Sequence, residues 1–130
     1  MSEKEPRVER APVQGDSKEL TPHQAIQFYE RAVDENPNDA DKYMELGAAY
    51  YIAHRWKEAI GAFEKAAALQ PNLGHAHYYL GVLYAATGDK ERAQKELDTV
   101  LQVSDNAILK AQAKSRIPFV NSTAQLAANP

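Results

Sequence analysis

Four histidines, His23, His54, His75 and His77, are the side chains of this 130-residue chain most able to ligate a metal or move a proton near neutral pH. A helical ligand pair needs one face, at i and i+4, whereas His75 and His77 stand two residues apart and point about 200° from each other. With no cysteine there is no thiolate ligand, no disulfide and no sulfur nucleophile. The serines, at 2, 17, 104, 115 and 122, fall in tails, caps and helix ends without a local base, and no glycine-rich loop could cradle a phosphate. The residue types therefore predict no enzyme, no cofactor and no metal site. What remains for recognition is aromatic: seven tyrosines and the single Trp56, each an apolar body with a polar tip.

These aromatics sit in a repeating frame. Leu46, Gly47, Tyr50, Ala59, Phe63 and Ala66 recur 34 residues on as Leu80, Gly81, Tyr84, Ala93, Leu97 and Val100. One period back from Ala59, Phe63, Ala66 and Pro71 stand Ala25, Tyr29, Ala32 and Pro37. A fixed period of this length predicts helix-turn-helix units stacked as a solenoid. The stretch 40–73, ADKYMELGAAYYIAHRWKEAIGAFEKAAALQPNL, resembles a tetratricopeptide repeat throughout, and 74–107 resembles a second. The resemblance implies an all-α, right-handed superhelical solenoid of about six helices whose concave surface binds peptides or helices of other proteins.

The period divides the chain. Residues 21–39 form a half unit, 40–73 and 74–107 are full units, and a terminal helix over 107–117 is expected to stop before Pro118, because the residue preceding proline disfavours the helical region. The segment 1–20 is rich in charge and proline and is expected to be disordered, since it has too little apolar surface to repay ordering. The tail 118–130 reads as flexible, with Phe119 and Val120 folding back onto the last helix as the alternative. Thr21-Pro22-His23-Gln24 reads as a capping box with proline at the first helical position, and Asn38, Asn72, Asp89 and Asp105 stand where further helices should start. Gly88 suits a left-handed turn; His54 occupies the equivalent place.

Each first helix of a unit has two faces. At about 100° per residue, Tyr43, Leu46, Gly47 and Tyr50 gather on one side and read as core, with the glycine admitting a neighbouring helix. The opposite side corresponds, by the family resemblance, to the groove wall: Asp41, Met44, Glu45, Ala48, Tyr51 and Ile52, then His75, Tyr78, Tyr79 and Val82 with Ala85 and Ala86, and finally Leu109, Gln112 and Arg116 with Ala113. Family members that capture acidic C-termini clamp the carboxylate with Lys, Arg and Asn on this wall; here the matching places lack those residues, and only Arg116 could meet an anion. Trp56 reads as packing over its turn. On the half unit, Ala25, Ile26, Phe28, Tyr29, Ala32 and Val33 cover a wider stripe than one neighbour needs, so Ile26, Phe28, Tyr29 and Val33 are expected to associate with a second copy, the N-terminal segment or a partner helix.

A formal net charge of −3 with dispersed Lys and Arg argues against nucleic acid. No apolar run approaches the ~18 residues of a membrane span, so a soluble cytoplasmic protein is expected. The functional expectation is a protein-protein interaction adaptor that takes a peptide or helix in a tyrosine-rich groove. A self-assembling scaffold, homo-oligomeric through the N-terminal end, and an assembly chaperone for an apolar segment are the alternatives.

Overall fold

The computed structural model describes residues 20–128, with side chains through Val120. Six helices and no strand occur among them: α1 (Pro22–Glu35), α2 (Ala40–Ile52), α3 (Trp56–Leu69), α4 (Gly74–Ala86), α5 (Lys90–Val103) and α6 (Ala107–Ala128). Each packs on the next, and α4 also touches α6. The core is a string of small and aliphatic residues, with Phe63, Leu80, Leu83, Leu97 and Val100 the largest fully buried side chains. No described helix is long and apolar enough to cross a membrane.

The period recurs in atomic detail. An added Cβ at Gly47 would lie 2.7 Å from the Phe63 ring, and one at Gly81 would lie 2.7 Å from Leu97, so both glycines admit a bulky side chain from the following helix. At the turn between paired helices, His54 (φ 62°) and Gly88 (φ 94°) both take the left-handed conformation. A non-glycine residue in this conformation bears a steric cost, which His54 carries and Gly88 does not. Tyr50 donates to Glu30 at 2.6 Å and Tyr84 donates to Glu64, each tying a unit to the helix before it.

Three local expectations need correction. Thr21 and Asp89 cap as read, the former in a complete capping box with Gln24. The cap of α2, however, is Asp39, not Asn38, and α4 starts after Leu73 with no side-chain cap, so Asn72 has no such role. At α6 the acceptor is Asn106, whose Oδ1 takes the Leu109 amide at 3.0 Å; Asp105 is not the cap. The shift at α6 matters most. That helix starts 33 residues after Gly74, whereas Gly74 starts 34 after Ala40.

The predicted stop before Pro118 is also not observed: α6 runs through Pro118 to Ala128. Proline removes one intrahelical hydrogen bond, leaving the Lys114 carbonyl on an exposed residue where water can take its place. Burial of Val120 and partial burial of Ile117 against the core favour continuation.

His77 replaces Tyr43 of the preceding unit and keeps its contact. Tyr43 donates to the Pro37 carbonyl at 3.1 Å, and His77 Nε2 lies 2.7 Å from the equivalent Pro71 carbonyl. Its Nδ1 lies 2.7 Å from Glu96 Oε1, so both ring nitrogens face acceptors and the protonated ring satisfies both. The bond to Glu96 holds the His77 pKa above its ordinary value of 6.5, against the opposing effect of burial. A raised folded-state pKa adds stability that is fully present below about pH 6.5 and is lost as pH rises through the folded value. The urea midpoint of the parent should therefore fall between pH 5.5 and 8.5 relative to that of His77→Tyr, which keeps the carbonyl contact without the titration. Parallel pH profiles for the two proteins would refute this.

Candidate partner-binding groove

Of the residues read as a wall on α2, Asp41, Glu45, Ala48, Tyr51 and Ile52 are exposed and Met44 is half-buried. Ile52 is 65% exposed, large for an aliphatic side chain, and Tyr51 is held edge-on by Trp56 at 5.5 Å between ring centroids. Trp56 packs on the core as well and touches His54 at 5.1 Å, so it braces the turn. On α4, His75 is exposed while Tyr78, Tyr79 and Val82 are half-buried. Tyr79 stacks on Phe63 at 5.1 Å with 22° between planes and meets Tyr78 edge-on at 5.7 Å. Tyr79 and Tyr78 thus belong as much to the core as to the wall, and Tyr51, at 38% exposure, is the wall tyrosine most open to water.

The 33-residue spacing from α4 to α6, one short of the period, rotates the α6 wall. A one-residue shift turns a helix by about 100°, and Leu109 and Ala113, expected in the groove, are buried at 3% and 0%. They take the places of the buried Ala76 and Leu80. Leu109 is thus a core residue, one methyl lying 3.1 Å from where a Gly74 Cβ would be. Gln112 stays exposed, and Ile108 and Phe119, not foreseen as wall residues, join it on the same stripe at 73% and 76% exposure. Arg116 is exposed and reaches back to α4: its Nε donates to Tyr78 Oη at 2.7 Å, and its guanidinium lies over the Tyr78 ring at 5.6 Å. The Asn106 cap was the sequence signal that would have set this register.

At the other end, Ile26 and Val33 are buried against α2 and are not available for association as expected. Phe28 remains 57% exposed, with Tyr29 edge-on to it at 5.1 Å. Beside them an open cleft of about 590 Å³ lies between the start of α1 and the α2–α3 turn, lined by Thr21, His23, Ile26, Ile52 and Arg55 among others. No group of three or more His, Cys, Asp or Glu able to hold a metal occurs among the described residues.

Comparison with known proteins bears on this geometry. The family profile described as Tetratricopeptide repeat matches residues 50–115. Over 80 residues the chain is 34% identical to the peroxisomal targeting signal receptor of Candida glabrata, covering 62% of this chain and 14% of the receptor. The chain thus spans only a small part of that relative's length. Among solved structures, MamA superposes with a TM-score of 0.74 at 25% identity, over 81% of this chain and 60% of MamA. YrrB, described as having an unusual peptide-binding site, superposes with a TM-score of 0.66 at 28% identity, over 72% of this chain and 48% of YrrB.

Proposed function

The chain belongs to the tetratricopeptide-repeat family, and from that premise we propose that it is a non-enzymatic adaptor whose α2–α4–α6 wall takes up a peptide or helix of another protein. One observation carries the reading: the wall is apolar yet open to water, with Ala48, Tyr51 and Ile52 of α2 exposed and Tyr78 and Val82 of α4 half-buried. Aromatic groups with a polar tip on such a surface are the residue types that dominate binding hot spots. YrrB and the receptor, which by their descriptions carry a peptide-binding site and recognise a targeting signal, support the same class of role.

Self-assembly by stacking of solenoid ends is less favoured. Lys114 stands on α6 where Gly47 and Gly81 admit the next helix, and it is exposed. A long charged side chain there blocks the close approach that Phe63 makes to Gly47.

The test is a photoreactive group at Ala48 to capture the partner, followed by titration of the purified pair. Tyr51→Ala should weaken binding by about 2 kcal/mol, or about thirty-fold, with unchanged helical circular dichroism. Tyr78→Ala should act similarly, whereas Tyr79→Ala should also lower stability because Tyr79 supports Phe63. A captured partner that binds Tyr51→Ala and Tyr78→Ala as tightly as the parent would place recognition elsewhere.

A further inference from the structure

Where α6 continues past Pro118 it closes an open cleft of about 310 Å³ against α4. The floor is apolar: Val82, Ala85 and Ala86 from α4, and the buried Val120 from α6, with exposed Phe119 at one edge. Among the described residues the polar rim is cationic, consisting of Lys90 at the start of α5 and Arg116. Among the described residues no carboxylate lines the cleft. Elsewhere Lys42, Arg55 and Arg92 pair with Glu45, Glu58 and Asp89, but neither rim cation has an acidic partner among the described residues. Arg116 spends one donor, Nε, on Tyr78 Oη. That bond and the ring beneath it orient the guanidinium while its outer N–H groups stay open for a planar acceptor.

The opposite end of the same wall carries Asp41 and Glu45, both exposed. Glu45 is paired with Lys42 at 3.7 Å, so a segment lying along the wall meets the negative charge of Asp41 at α2 and positive charge at α6. Like-charge contact at one end and opposite charge at the other fix direction more than they add affinity.

From this arrangement we infer that the α4–α6 cleft anchors an acidic, aliphatic segment of the partner protein, seating one leucine-sized side chain on Val82 and Val120 and its flanking carboxylates on Lys90 and Arg116. The inference rests on the groove reading above and adds to it the chemistry of the partner and the direction in which it lies. A charge-assisted, bidentate bond is available from Arg116, with Lys90 as a second point charge.

Three short fluorescent peptides in a serine-glycine background test it: one with glutamates flanking a leucine, one with lysines in place of the glutamates, and one with the glutamates but no leucine. At low salt, about 50 mM, the first should bind at least about tenfold tighter than the other two. Its amide shift changes should cluster at Val82 to Lys90 and Arg116 to Val120. The double variant Lys90→Glu/Arg116→Glu, substituted at solvent-reaching side chains, should keep the parent's circular dichroism and lose that preference. Equal binding of the glutamate and lysine peptides, or binding that ignores the double substitution, overturns the proposal. If a captured partner depends on Tyr51 but not on Lys90 and Arg116, the anchor falls and the groove stands. If the first peptide behaves as expected while no partner depends on Tyr51 or Tyr78, the anchor is supported and the groove reading falls alone.

Discussion

Phe63→Ala should lower the free energy of unfolding by about 3–5 kcal/mol, the usual cost of emptying a buried aromatic site. Phe63 is 1% exposed and joins three helices: it lies on α3, fills the space over Gly47 of α2 and stacks on Tyr79 of α4. Net stability is about 0.05–0.15 kcal/mol per residue in ordinary domains, so a loss of this size consumes a large share of the total. Urea unfolding followed by helical circular dichroism measures it. The Gly47 contact supplies an internal check. Gly47→Ala alone puts a methyl 2.7 Å from the ring and should destabilise, but in the Phe63→Ala background the ring is gone and the same methyl occupies part of the void. The two changes should be strongly non-additive, as expected for residues in direct contact. Additive costs, or a Phe63→Ala cost below about 1 kcal/mol, would show that the ring is not the joint described.

The repeat made this joint readable from sequence: Gly47 and Phe63 recur as Gly81 and Leu97, and the pairs meet in the same way. The period also placed Tyr50, Tyr84 and both turns correctly, because one supersecondary unit is built twice with the same contacts. It failed where the unit changes. The period of 34 carries Leu109 and Ala113 onto the wall, but with the Asn106 cap α6 follows α4 by 33 residues and the rotation buries both. Pro118 was read as a stop from local backbone preference, yet α6 continues through it where Ile117 and Val120 pack on the core. Tertiary burial overrides a local signal of that strength. Since those two departures generate the Lys90–Arg116 cleft, the feature that gives the wall a direction was the least legible. Side-chain partners were also invisible: nothing in the sequence joins His77 to Glu96, or Arg116 to Tyr78, across 19 and 38 residues.

The largest pH effect is expected in alkali. Tyr50 and Tyr84 are 8% and 6% exposed, and each has its pKa pushed up from 10.0 to about 12. Burial is the main cause, followed by the hydrogen bond and the negative charge of Glu30 or Glu64. Arg55 and Arg92 lie over the two rings, at 5.2 and 5.6 Å, and partly offset the shift. The raised value means that the folded protein holds each phenol proton after the unfolded chain has released it. Stability from these two residues is thus intact below about pH 10 and falls as pH rises from 10 toward 12, by on the order of 2 kcal/mol for each tyrosine. Other groups titrate in the same range, so the comparison is with Tyr50→Phe/Tyr84→Phe. That variant should be less stable at pH 8 by about 1 kcal/mol for each lost hydrogen bond, and its stability should decline less steeply above pH 10. Phenolate absorbance should show two tyrosines of the native protein ionising late, and the lag should vanish in urea. Equal alkaline losses in parent and variant would mean that the Tyr50–Glu30 and Tyr84–Glu64 bonds do not couple the units as the structure implies.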